Sequence, residues 1–417
     1  MTAMHEILFW IIIAIIVIDF LFEKYLDYLN TKTMSEVLPD EVKGIYDEEK
    51  YKKQQAYQRE NNRFGLVSSS FSFALTLAMF LFFGFAFVDS LAWGITANAI
   101  VAALFFFGLI MLASDILSMP FSVYDTFVIE EKYGFNKTTP KTFVLDTIKG
   151  WLIGGLIGGG LLAIIIFIYQ KTQNMFWIYA WILISAFSIF MVMFYSNLIV
   201  PLFNKQTPLE EGELRDAIQK FSDNVGFKLD NIFVINGSKR STKANAYFTG
   251  FGAKKRIVLY DTLINEMETD EIVAVLAHEI GHYKKKHVIQ GLFIGLVQTG
   301  IVLFIFSLLI NNENLSQAIG VEVPNFHIGL VAFGVLYTPV SFVLGIFMNL
   351  LSRKNEYQAD AFAAQHFNPE SLASALKKLS VKNLSNLTPH PKYVFFHYSH
   401  PTLLQRLEHL KQFQKQN

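Results

Sequence analysis

Apolar positions along the chain fall into long unbroken runs separated by polar stretches. Seven runs approach or exceed the roughly 20 residues that a bilayer core demands of a helix. They are Ile7–Phe22, Phe64–Val88, Leu91–Ala113, Phe143–Tyr169, Met175–Leu202, Val288–Ile310 and Ile328–Leu351. The first could pass for a signal peptide, but no basic residue precedes it and no small-residue cleavage site follows, so it is expected to stay as a helix. Between the fifth and sixth runs the pattern changes. Leu214–Val225 spaces its apolar residues as an amphipathic helix does, and Asn231–Asn236, Ala244–Thr249 and Arg256–Tyr260 are short β-branched and aromatic stretches that read as strands. The expected fold is mostly α, a polytopic membrane protein with a small α+β domain.

Composition agrees: 52% of residues are hydrophobic, 17% are charged, and 41 are Phe. Formal net charge is zero, which argues against a nucleic-acid partner, but the charge is unevenly placed. Residues 23–63 hold eight Lys and Arg, and residues 114–142 add Lys132, Lys137 and Lys141, whereas residues 1–6 and 311–327 hold none. The positive-inside rule puts the basic loops in the cytoplasm, the N-terminus outside, and residues 203–287 and the C-terminal tail inside. Cysteine is absent, which excludes disulfides and cysteine-based metal or redox chemistry. The glycines at 154, 155 and 158–160 lie inside an apolar run, where they suit close helix packing better than a nucleotide loop.

The chemistry is concentrated in His278-Glu279-Ile280-Gly281-His282. Residues four apart share one face of a helix, so both imidazoles can reach one metal while Glu279 addresses the adjacent water. Asp270 and Glu271 precede an apolar stripe, as at a helix start. Catalytic zinc takes three protein ligands and leaves a fourth position for water. Just after the seventh run, Glu356 and Asp360 are also four apart in an alanine-rich stretch. Glu356 can complete the set, and Asp360 can hold the free ring nitrogen of a ligand histidine. The expected layout is five spans over 1–202, a zinc-protease core over 203–287, spans six and seven over 288–351, and over 352–417 a helical part with the third ligand. One Zn²⁺ per chain is expected. A small sheet beside this helix suits proteolysis, because an extended substrate can add as a strand to an open edge.

These residues, with Thr126–Asn136, Asn245-Ala246-Tyr247-Phe248 and His397-Tyr398-Ser399-His400-Pro401, resemble the type I CAAX prenyl protease family, zinc-dependent membrane endopeptidases of the M48 class. The resemblance extends over most of the chain. It implies seven helices enclosing an intramembrane chamber, with the zinc site at its cytoplasmic end. It also implies that His400 steadies the tetrahedral intermediate and that Asn245 holds the substrate backbone. From residue types alone, His400 could instead be a helix-start histidine before Pro401, and residues 245–248 could equally be an interior strand. Arg406 could bind a substrate carboxylate or pair with Glu408 or another local acid. The short tail, without a lysine-type retention signal, suggests a bacterial inner-membrane protein. The expected partners are a peptide or protein substrate, lipidated if the resemblance extends that far, and the bilayer.

Two other readings compete. A transporter would use Asp19 and the glycine-rich fourth span, but transport ligands belong near mid-membrane, and here they flank the spans. A heat-shock-type membrane zinc protease is shorter and has fewer helices than the five spans that precede this motif.

Overall fold

The computed structural model describes residues 3–34, 37–38, 43–227, 232–250 and 256–414. In chain order it begins with α1 (Met4–Lys32), α2 (Glu48–Leu81), the short α3 (Gly84–Ile95) and α4 (Ala99–Tyr124). A π-helical turn, Asp125–Glu130, carries α4 on to Tyr133. Then come α5 (Pro140–Thr172), α6 (Phe176–Leu198), β1 (Gln206–Pro208), α7 (Glu213–Asn224), β2 (Ile232–Ile235), β3 (Ala246–Thr249), β4 (Arg256–Tyr260) and α8 (Thr269–Lys284). The chain continues through α9 (His287–Leu309), α10 (Glu313–Ala318), α11 (Phe326–His366), α12 (Pro369–Lys382), α13 (Pro391–His397) and α14 (Leu403–Gln414).

Seven of these helices, α1, α2, α4, α5, α6, α9 and α11, are long and apolar enough to span a membrane. Each touches the next, α2 meeting α4 through Phe64 and Phe71 against Phe121, and α11 returns to α1, so the spans close a ring. Only 6% to 17% of the most apolar stretch of each span is buried, far less than in a bundle packed on its own axis. That arrangement agrees with the chamber that the resemblance implies. At the end away from the sheet, Ile12, Phe80, Ala92, Phe106, Leu315 and Ile328 pack into one cluster.

Three expectations need correction. The second span does not run from Phe64 to Val88 and the third does not start at Leu91. The helix stops at Leu81, Phe83 takes a left-handed φ of 53°, and α3 intervenes before Asn98 caps the third span by accepting from the amides of Ile100 and Val101. Hydropathy cannot see this break, because both sides are apolar. The glycines of α5 do not serve close packing: a Cβ on Gly154, Gly155, Gly158 or Gly160 would meet nothing within 4 Å. Ring neighbours touch along narrow seams, and only Gly159 lies near one, 3.8 Å from Leu104. The strand expected from Ala244 begins at Ala246, because Asn383 takes both backbone groups of Ala244 with its side chain, at 3.1 and 3.2 Å. Asn231, expected to open a strand, lies outside the described residues.

The sheet has the order β1-β2-β4-β3, with β2 and β4 parallel and both outer pairs antiparallel. This leaves β3 at an edge. Ile257 and Leu259 of β4 pack with Ile272 and Leu276 of α8 and Leu372 and Leu376 of α12. Each such fully buried side chain contributes about 1.5–3 kcal/mol. Two ion pairs are among the ties that fix this domain to the spans. Arg240, between β2 and β3, pairs with Asp146 of α5 at 2.8 Å and donates to the Phe203 carbonyl. Lys243 pairs with Glu130 of the π turn at 2.8 Å.

Candidate metal centre

Helix α8 opens on a capping box, in which the Glu268 side chain accepts from the Glu271 amide and the Glu271 side chain accepts from the Glu268 amide. From Glu271 to His278 every residue is buried, because this helix crosses the domain core. Gly281 makes the site possible. A Cβ there would stand 3.1 Å from both Ala359 Cα and Phe362 Cβ, so only glycine lets α8 lie this close to α11. The approach sets His282, the next residue, against Glu356.

The donors converge. His278 Nε2 and His282 Nε2 are 3.1 Å apart. Glu356 Oε2 lies 3.4 Å from the first and Oε1 lies 3.2 Å from the second. All three residues offer ligand atoms within 4.8 Å of one another. The second Glu356 oxygen is buried and makes no hydrogen bond. Two imidazoles and a carboxylate, with an orphaned oxygen among them, fit a divalent cation.

Behind the donors, Asp360 Oδ1 sits 2.8 Å from His278 Nδ1. Arg406 grips Asp360 through two parallel bonds, Nε to Oδ2 at 2.9 Å and Nη2 to Oδ1 at 2.6 Å, and its Nη1 is 3.6 Å from Glu356. Burial opposes charge on His278, but the Asp360 and Glu356 carboxylates beside it outweigh burial and lift it to about 9. The acid that holds Arg406 is Asp360; Glu408 pairs instead with Lys411.

Glu279 lines a cleft of about 460 Å³ together with Asn245, Phe248, Met348, Asn355 and His400. The cleft thus runs from the open edge of β3 to the seventh span. His400 is exposed, with Nε2 3.3 Å from Glu356 Oε1 and Nδ1 3.0 Å from Ser399 Oγ. The side-chain oxygen of Asn245 accepts from the Ala246 amide, and its carbonyl accepts from Tyr260. All eight residues singled out from the sequence therefore lie at or around one cluster.

Sequence reasoning missed His287. It is buried at the start of α9, with Nδ1 3.0 Å from His282 Nδ1 and Nε2 2.9 Å from the Gln358 oxygen. Five residues past His282 it would lie off the ligand face of a continuous helix. The chain breaks at Lys286, which has φ of 61°, and the turn brings the ring back. The signal available was a third histidine close after the motif.

The first part of the chain, residues 27–205, matches a family model described as the CAAX prenyl protease N-terminal region of five membrane helices, and residues 208–414 match peptidase family M48. The chain is similar to CAAX prenyl protease 1 of Saccharomyces cerevisiae, 36% identical with 93% of this chain and 92% of that protein covered. It is similar to the Arabidopsis thaliana homologue at 37%, with 95% and 96% covered. Its fold matches a crystal structure of S. mikatae Ste24p with a TM-score of 0.92 and 37% identity, over 97% of this chain and 99% of that one. These organisms are eukaryotes and lend no support to the expected bacterial source.

Proposed function

The chain belongs to the CAAX prenyl protease family of M48 peptidases and is an integral membrane metalloendopeptidase, and from that premise we propose zinc as its metal, one ion per chain, held by His278, His282 and Glu356. Two imidazoles and a carboxylate beside an open cleft form a donor set typical of catalytic zinc. The buried Glu356 oxygen that accepts no hydrogen bond carries this reading.

Bound zinc supplies a Lewis acid for the peptide carbonyl and an acidified water. Glu279, whose carboxylate lines the cleft, would take the proton of the attacking water and pass it to the leaving nitrogen. Asp360 accepts from His278 Nδ1–H, which turns Nε2 toward the centre, and Arg406 balances the charge of Asp360. Because the guanidinium is committed there, we assign Arg406 to holding the cluster and not to a substrate carboxylate. His400, at the mouth of the cleft, donates to the developing oxyanion. Asn245 and the free edge of β3 hold the substrate as an added strand.

The substrate proposed is a prenylated peptide or protein, after the names of the relatives, which are called CAAX prenyl proteases. Met348 and Leu351 of the seventh span line the cleft, which supports a substrate that approaches from within the bilayer. The basic loops at 23–63 and 114–142 support an outside N-terminus and a cytoplasmic protease domain.

Elemental analysis of purified protein, with cleavage of a prenylated peptide and its unprenylated twin, tests the core of this reading. We expect stoichiometric zinc and cleavage that stops with a chelator and returns with zinc; full activity in zinc-free protein would overturn it. Equal rates on the twins would remove the lipid requirement. Single cysteines in the cysteine-free background should label from outside at 318 and from inside at 410, and labelling of both from one side would refute the orientation.

A further inference from the structure

A second cleft, of about 480 Å³, lies between the turn that joins α8 to α9 and the adjoining face of α11. Lys285 and Lys286 enter it from the turn and Lys354 from α11, and no acidic residue lines it. All three lysines are exposed, and none of their ammonium groups makes an ion pair or hydrogen bond to the described residues. Asn355 donates to Gln290 at 3.2 Å and so joins the two walls. Three cations gathered around one cavity repel one another unless an anion lies between them.

The rim indicates which anion. Ile289 and Phe293 belong to the first turns of α9, a membrane span, and are 50% and 66% exposed. The lysines therefore stand at the level of the headgroups while the two apolar side chains reach toward the acyl layer. A soluble anion would gain nothing from that rim. We propose that this cleft binds the headgroup of an anionic phospholipid in the leaflet on the protease-domain side, its phosphate accepting from the lysine ammonium groups and its chains lying along Ile289 and Phe293.

The site does not rest on the catalytic reading, since none of the three lysines belongs to the metal cluster. It does join the turn after the helix of His278 and His282 to the helix of Glu356. Each lysine near an anionic surface contributes roughly fivefold in affinity, so three give on the order of a hundredfold.

The test uses the full-length protein in nanodiscs of phosphatidylcholine with a minor fraction of phosphatidylglycerol, extracted for native mass spectrometry. The expected result is one retained phosphatidylglycerol per chain, displaced poorly by phosphatidylcholine, and weakened on the order of a hundredfold in a K285Q/K286Q/K354Q variant. Peptide cleavage by that variant in pure phosphatidylcholine shows that it is folded. Should the variant fail to fold, K354Q alone is expected to lose roughly fivefold. Equal retention of the two lipids, or undiminished phosphatidylglycerol in the variant, overturns the proposal. So does displacement by millimolar inorganic phosphate, which would make the site one for a free anion.

Discussion

Helix α11 carries a buried histidine–carboxylate group at each end, separated by about 44 Å of helix at 1.5 Å per residue. At its start His327 is buried, with Nε2 2.6 Å from Asp89 of α3, and Asn325 donates to the same oxygen at 3.1 Å. The Phe106 ring lies 4.6 Å away, and neither His327 nor Asp89 has a buried side-chain atom without a partner. At the far end Glu356 meets two histidines, Asp360 stands behind them, and a buried oxygen is left over beside an open cleft. The same residue types thus give a satisfied pair in one place and a surplus of donors converging on a point in the other. Burial and pairing do not separate structure from chemistry here; the unsatisfied oxygen does.

Single substitutions at the two ends give the sharpest test of that contrast. Glu356→Ala should weaken metal retention at least about a hundredfold and take cleavage to background, because two histidines make an incomplete site. His327→Ala should leave metal per chain unchanged and cost about 3–5 kcal/mol of stability by stranding Asp89. Elemental analysis beside thermal melts reads both, and metal loss from His327→Ala would erase the distinction. Glu279→Gln should keep the metal and lose at least about a hundredfold in kcat, since the amide retains shape but is no base. Near-normal turnover would remove Glu279 from proton transfer.

Gly281→Ala probes the approach of the two helices, which the aromatic surroundings of His327 do not depend on. The added methyl meets Ala359 and Phe362, so we expect a loss of about 1–3 kcal/mol in stability together with weaker metal retention. An unchanged melt would show that α8 and α11 yield freely. Asn245→Ala should be the most confined change. It should leave metal content intact and lower kcat/KM by the equivalent of about 1–3 kcal/mol, through loss of a backbone contact to substrate. Unaltered kcat/KM would place the substrate strand elsewhere.

Much of this was legible in the chain. The seven spans follow from run length, and His278, His282, Glu356 and Asp360 follow from i,i+4 spacing, because a helix turns that spacing into a shared face. What escaped depends on contacts distant in sequence or on breaks without a hydropathy signal. The stop at Phe82-Phe83 lies between two apolar helices. Strand β1 is three residues long and exists because Gln206–Pro208 finds β2. His287 reaches His282 only through the turn at Lys286, and Arg406 finds Asp360 across 46 residues. Ala244 left its expected strand for a side chain 139 residues away.

The 41 residues of α11 form one helix, interrupted only by Pro339 within it, and would extend about 60 Å, roughly twice the hydrocarbon thickness of a bilayer. Helix α8, which carries the two histidines, is separated from another span, α9, by only Lys285 and Lys286. The metal donors are thus mounted on the extensions of two neighbouring spans. A span longer or shorter than its membrane adjusts by tilting. A difference in tilt between α9 and α11 would therefore bear on the gap between His282 and Glu356, which would make hydrophobic thickness a variable of the centre in the way that pH or ionic strength is for a soluble enzyme.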